Sequence, residues 1–120
     1  RLRTAIDVPA ELDRIPVPPM LLQTLVENAV RHGIAHLPGG GDLHIGAHRT
    51  DGHLVVTVRN SGHYEPGPAK GNGIGLRNTR RRLELIYGKD ASITIGNQDG
   101  LVVTEVQFPI TDPETIAAST

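Results

Sequence analysis

Apolar residues fall at positions 21, 22, 25, 26, 29 and 30, intervals of three and four that place them on one stripe of an α-helix. The spacing predicts a helix over residues 20–33. Pro18 and Pro19 stand at its entry, where a first turn tolerates proline, and Gly33 stands at its stop. Ahead of it, residues 1–7 alternate weakly, as an edge strand does, and the proline-rich stretch 8–19 is expected to be extended or irregular. Downstream, 42–49 and 53–60 alternate apolar with polar across Thr50-Asp51-Gly52. Residues 91–97 and 101–110 do the same across Gln98-Asp99-Gly100, so each pair reads as a hairpin. Between the hairpins lie a glycine- and proline-rich loop, 61–73, and a second helix over 74–88, with Ile74, Leu76, Thr79, Leu83, Ile86 and Tyr87 inward and Gly88 at its end. Residues after Pro109 read as a frayed tail.

The order strand, helix, hairpin, loop, helix, hairpin implies a two-layer α/β (α+β) sandwich on a mixed, mostly antiparallel sheet. Hairpins argue against a doubly wound parallel nucleotide fold. The expected organisation is one domain over 1–110 and a tail over 111–120.

Composition narrows the function classes. The chain has 120 residues, 38% hydrophobic and 21% charged, which suits one globular core. No apolar run approaches the roughly 18 residues that span a bilayer. A first residue of Arg1 rather than methionine suggests a piece of a longer protein. Cysteine is absent, which excludes disulfides and thiolate metal sites and fits a reducing compartment. Twelve basic against thirteen acidic residues leave a net charge of −1, and Tyr64, Tyr87 and Phe108 are the only aromatics. Neither a field nor a stacking platform for nucleic acid is present. His44 and His48 share a strand face, but a spacing of four puts them about 13 Å apart, too far for a shared zinc ion.

Three stretches carry candidate chemistry. On the first helix Thr24, Asn28 and Arg31 or His32 share one face, with Glu27 at its border able to pair with Arg31 four residues on. This is either a solvated face or a ligand floor: an amide oxygen suits a hard cation, and positive charge suits phosphate. In "KGNGIGLRN", 70–78, Gly71, Gly73 and Gly75 precede a helix, which lets backbone N–H groups approach an anion at a positive helix end. The dinucleotide fingerprint fails at Leu76, and the P-loop lacks its Gly-Lys-Ser/Thr. Third, "VTVRNSG", 56–62, ends a strand in Asn60 before a turn at Ser61 and Gly62.

Taken together, "VPPMLLQTLVENAVRHGI" and "GNGIGLRNTRRRLELIYG" resemble the ATP-binding domain of the GHKL superfamily, and more narrowly the catalytic domain of LytS-like bacterial sensor histidine kinases. The resemblance spans about residues 8–109. It implies the Bergerat-type fold, with helices covering one face of the sheet, and it implies ATP and Mg²⁺ as ligands. Asn28 then matches the Mg²⁺ ligand of the family's N box. One neutral ligand makes a weak site, so the metal arrives with ATP. Arg31 matches a phosphate contact, His32 a position beside the adenine or sugar, and Glu27 the acidic neighbour of the metal ligand. Thr24 lacks the carboxylate that some branches carry there, which argues against strong intrinsic hydrolysis.

The family's first glycine box, D-x-G-x-G, reads here Asn60-Ser61-Gly62-His63-Tyr64. Asn60 is expected to read adenine by two bonds, its oxygen accepting from the amino group and its NH₂ donating to the ring. The second glycine is missing. The second glycine box matches Gly71, Gly73, Ile74, Gly75 and Leu76. It implies phosphate contact and a lid hinge over 63–72, with Lys70 reaching toward the γ-phosphate or remaining solvated, and Asn78 at the nucleotide or on the helix surface. Arg80, Arg81 and Arg82 read mostly as a charged helix face.

The resemblance makes the chain the ATP-binding catalytic domain of a two-component kinase. Such a domain donates the γ-phosphoryl group to a histidine on a separate dimerisation helix, with a response regulator downstream, at the cytoplasmic side of a membrane-anchored sensor. The isolated chain is expected to bind nucleotide without phosphorylating itself. The alternative is a non-catalytic docking module of the same fold with weakened nucleotide affinity, favoured by Asn60 and Thr24. A gyrase-like ATPase is disfavoured by Thr24.

Overall fold

The computed structural model of the chain describes residues 2–12, 15–18, 20–32, 39–64 and 73–111. Strands β1 (Leu2–Asp7), β2 (Gly41–Thr50), β3 (His53–Ser61), β4 (Ser92–Gln98) and β5 (Leu101–Pro109) form one five-stranded sheet in the order β1-β2-β3-β5-β4. β1 runs parallel to β2, and every other neighbouring pair is antiparallel. Helices α1 (Leu21–His32) and α2 (Gly73–Tyr87) supply the second layer.

Turn chemistry fixes the register of both hairpins. Thr50 pairs with His53 and Gln98 with Leu101, so each loop is a two-residue Asp-Gly. Positive φ is required at both positions of the turn that matches strand twist. Asp51 and Gly52 have φ 47° and 77°, and Asp99 and Gly100 have φ 52° and 81°.

Strand alternation then separates two faces. Leu54, Val56 and Val58 of β3 and Val106 and Phe108 of β5 point to one side, where they form a single core with Leu25 and Ala29 of α1 and Leu76 and Leu83 of α2. Both helices therefore cover the same face. That layer stops short of edge strand β1, where Ile6 is 68% exposed. The opposite face carries His44, His48, Arg59, Glu105 and Gln107 among its residues.

Some expectations need correction. The α1 stripe is narrower than its six apolar positions suggest: Leu25 is 1% exposed and Leu22 43%, because Leu22 lies on the flank that turns away from the sheet. The stretch 8–19 is not wholly irregular. A 3-10 turn at Ala10–Leu12 is closed by Leu12 N–H donating to Pro9 O (3.0 Å), and it delivers Leu12 into the core. The prolines flank this turn rather than interrupt it. The ordered chain also continues past Pro109. Ile110 packs against the core and its N–H donates to Gly52 O (2.9 Å), tying the end of β5 to the first hairpin. The predicted stop at Gly33 and the tail from 112 onward lie outside the described residues.

Two contacts fasten α2. Arg80, expected on a solvated face, donates from Nη2 to Ile93 O of β4 (3.1 Å) and so occupies a carbonyl of an edge strand, where unpaired groups otherwise invite another chain. At the far end Tyr87 stacks on Phe108 with ring centroids 5.4 Å apart. The Tyr87 hydroxyl is buried without a hydrogen-bond partner, and burial pushes its pKa up to about 12.

Leu25→Ala is expected to cost about 2–5 kcal/mol of stability by removing a fully buried side chain, whereas Leu22→Ala stays within about 0.5 kcal/mol; urea denaturation separates the two. In a Tyr64→Phe background, the ultraviolet titration of the remaining tyrosine should have its midpoint near 12. The folded-state value lies above the unfolded one, about 10. Tyr87 therefore contributes its full share of stability below pH about 10, and loses it as pH rises through the folded value. A midpoint near 10 in the folded protein would contradict the burial of the hydroxyl.

Candidate functional site

Asn60 is the last inward-facing residue of β3. It shares its face with Leu54, Val56 and Val58 and pairs with Leu43 on one side and Val102 on the other. It is 1% exposed. Nδ2 donates to Ser61 O (3.0 Å), whereas Oδ1 is buried and has no hydrogen-bond partner among the described residues. An unsatisfied buried acceptor costs about 1–3 kcal/mol, so a donor that reaches this oxygen is favoured. The Ser61 bond also fixes which end of the amide points there. Turning it over would break that bond and set two oxygens against each other. One hydrogen of the NH₂ is thus already committed, and the acceptor is the group of Asn60 that can take up a ligand at no loss.

The strand end around Asn60 is pinned. Asp42 N–H donates to Ser61 Oγ (2.9 Å), and Asp42 is itself paired with Arg3 of β1, 2.6 Å from Nε to Oδ1. This exposed pair raises the Arg3 pKa through its hydrogen bond and charge. Gly62 then turns the chain at φ 131°, in the region that side chains disfavour.

The helices approach each other across an open cleft of about 240 Å³ whose walls include Met20 and Thr24 on one side and Asn78 and Arg82 on the other. Asn28 is half-buried one turn beyond Thr24 on α1. Met20, ahead of α1, has φ 69°, a strained value for a non-glycine residue. Its carbonyl accepts the first intrahelical bond of α1, from Thr24 N–H (2.9 Å). Gly73 and Gly75 lie in the first turn of α2 and not in a preceding loop. The leading N–H groups of a helix have no intrahelical partner, and α2 has no acidic residue in its first turn to offset their partial positive charge.

The other candidates sort as follows. Leu76 is buried in the core, so any part it plays toward a ligand is through its backbone. Asn78 is exposed on the cleft wall. Glu27 and Arg31 are both exposed, and the expected ion pair between them does not form. At such a site a pair gains only about 0.3–0.5 kcal/mol against the entropy of two long side chains. His32 closes α1, but its side chain, that of Ile74, and the whole of 65–72 with Lys70 and Gly71 lie outside the described residues. Of the arginine run, Arg82 lines the cleft, Arg80 ties α2 to β4 and Arg81 is exposed. The i+4 spacing of Arg82 from Asn78 was the available signal for its place.

Among the described residues no group of three His, Asp or Glu side chains could hold a metal ion. A divalent cation at Asn28 would need ligand-borne oxygens, and a half-buried amide oxygen fits a cation that comes with a polyphosphate. The orphaned Oδ1 of Asn60 fits an exocyclic amino group.

Asn60→Leu should leave stability unchanged within about 1 kcal/mol, or raise it, because an apolar side chain of similar size removes the unsatisfied oxygen. A loss of about 3 kcal/mol or more in denaturant unfolding would show that the fold itself requires the amide.

Comparison with known proteins bears on this arrangement. No protein-family model matches the chain. The sensor histidine kinase BtsS of Escherichia coli (strain K12) is 34% identical over 96 residues, covering 79% of this chain and 17% of that protein. The sensor protein LytS of Oceanobacillus iheyensis is 31% identical over 113 residues, covering 82% of this chain and 19% of that protein. The chain thus spans under a fifth of the length of these relatives. Among solved structures, the catalytic domain of histidine kinase ThkA superposes with a TM-score of 0.70 at 22% identity, covering 95% of this chain and 81% of that one. ThkA in complex with the response regulator TrrA superposes with a TM-score of 0.62.

Proposed function

Because this chain belongs to the LytS-like histidine-kinase catalytic domains of the GHKL fold, we propose that it binds ATP with Mg²⁺ and donates the γ-phosphoryl group to a histidine on a separate dimerisation domain. The observation that carries the reading is the buried, partnerless Oδ1 of Asn60, at the sheet position where an adenine amino group would be read. The acceptor takes an N–H from the 6-amino group, and the Ser61 bond keeps the amide oriented for it.

The remaining roles follow from residue chemistry. Asn28 offers its amide oxygen to Mg²⁺, and Arg31 and Lys70 neutralise phosphate charge. His32 lies toward the adenine or sugar, and Glu27 stands beside the metal ligand. Backbone N–H groups at Gly71, Gly73, Ile74, Gly75 and Leu76 receive phosphate oxygens at the positive end of α2, and Asn78 holds the nucleotide from the cleft wall. When bound, Mg²⁺ offsets phosphate charge and aligns the γ-phosphate. In the transfer an imidazole nitrogen forms a P–N bond as the β,γ-bridging P–O bond breaks, ADP leaves, and the imidazole proton passes to solvent. Positioning and charge neutralisation are most of what such a transfer needs from the protein.

The acceptor helix and the response regulator are partners of the longer protein. No described helix is long and apolar enough to cross a membrane, and we place this domain at the cytoplasmic face of a membrane-anchored sensor. The second reading, a docking module of the same fold, draws on Asn60 standing where the family carries aspartate and on Thr24 lacking the carboxylate that other branches carry there.

Calorimetry with a non-hydrolysable ATP analogue separates the two. The protein should bind at least about tenfold more tightly with Mg²⁺ than without it, a difference of about 1.4 kcal/mol, and Asn28→Ala should lose that Mg²⁺ dependence while keeping the metal-free affinity. Absence of binding in the unaltered protein would leave the docking reading. The chain alone should acquire no stable phosphohistidine on incubation with ATP.

A further inference from the structure

We propose that Asn97 is a positioning residue for the nucleotide, holding the chain that leaves Asn60 in place at the adenine end of the site. The proposal rests on the ATP-site reading and deepens it. Register places Leu43, Asn60, Val102 and Asn97 in one row across β2, β3, β5 and β4. Asn97 follows Ile93 and Ile95 on the helix-side face, the same face as Asn60. β3 and β4 stand two strand spacings apart, about 4.8 Å each, with β5 between them. The segment that leaves β3 at Ser61 crosses this gap by Tyr64.

At Tyr64 the crossing is caught at two points. Tyr64 N–H donates to Asn97 Oδ1 (2.8 Å), and Asn97 Nδ2 donates to Tyr64 O (2.9 Å). A carboxamide carries one acceptor and one donor in the same plane, as a backbone peptide does, so it satisfies both main-chain groups of one residue. Two bonds fix orientation where one would fix only position. At its other end the segment is held by the β3 ladder and by Ser61 Oγ, which accepts from Asp42 N–H. Three residues reach at most about 10–11 Å, close to the distance to be crossed, so a run fixed at both ends has little freedom.

What this clamp supports is not the core. Asn97 is exposed, and its own strand keeps full register with β5 from Ser92 to Gln98. The segment it holds contains Ser61, whose carbonyl oxygen fixes the direction of the Asn60 amide. Loosening Tyr64 frees that carbonyl to drift, and with it the direction of the acceptor that meets the base.

Two variants test this. Asn97→Ala removes both bonds; Asn97→Asp keeps the acceptor and sets a carboxylate oxygen against Tyr64 O. Affinity for ADP and for magnesium tripolyphosphate is measured by calorimetry, with hydrogen exchange at the Tyr64 amide as the report on the clamp. Both variants should weaken ADP binding by about 3–10-fold, leave tripolyphosphate binding unchanged, and accelerate exchange at Tyr64. Faster exchange at Tyr64 with unaltered ADP affinity would overturn the proposal. So would equal losses for ADP and tripolyphosphate, or failure of both variants to fold, which would make Asn97 a folding residue. If the unaltered protein binds tripolyphosphate but not ADP, or neither ligand, the ATP-site reading fails first and takes this inference with it.

Discussion

A carboxamide oxygen is held inside the hydrophobic layer with no partner among the described residues. Among the described residues the largest fully buried side chains are Phe108, Leu25, Val58, Val106 and Asn60, and of these only Asn60 is polar. Its strand gives it no choice of direction: one residue earlier or later, the side chain would face the other side of the sheet. The next residue's backbone gives it no choice of amide end, because Ser61 O accepts from the NH₂. Folding on its own gains nothing from this oxygen. Much of the surrounding architecture can be read as the means of keeping it there, dry and aimed.

The architecture does so from three directions. Below it, the antiparallel ladders and two-residue Asp-Gly turns set the rows, so Asn60 always falls between Leu43 and Val102. On the helix side of the sheet, α1 and α2 share one core with β3 and β5, and a cleft opens between the two helices. At the sides, Ser61 is bonded to β2 and Tyr64 to β4. A base read by one fixed acceptor and a triphosphate met by helix-end N–H groups ask for little flexibility in the sheet and for none of the charge that a catalytic acid or base would bring. A near-neutral chain with few aromatics is consistent with that division of labour.

Much of this was legible in the sequence because it depends on short-range patterns. The Asp-Gly turns, the alternation of 53–60 and 101–110 and the spacing of Leu21, Leu25 and Ala29 each encode local geometry, and the mixed two-layer sandwich follows from their order. Asn28, Asn60 and the 71–75 glycines were visible as chemistry out of keeping with their surroundings. What escaped was set by contacts between distant segments. Leu12 is drawn into the core by a turn hidden among prolines, and Ile110 is held by Gly52. Arg80 seeks a carbonyl on an edge strand thirteen residues away. Asn97 reads in sequence as an ordinary strand end, and only the register across four strands aligns it with Asn60. The Glu27–Arg31 pair shows the converse, a local pattern permitted by spacing that the solvated helix face has no need to form.

If Asn60 presents a fixed hydrogen-bond acceptor to the purine 6-position, the relative affinity of the protein for ADP and inosine diphosphate reads it. The two ligands differ at the 6-position, amino against oxo, and at N1, a ring acceptor in ADP and an N–H donor in inosine diphosphate. ADP is expected to bind at least about tenfold tighter, about 1.4 kcal/mol, since the oxo group would face the Asn60 oxygen lone pair to lone pair. Equal affinity for the two, or a preference for inosine diphosphate, would contradict it.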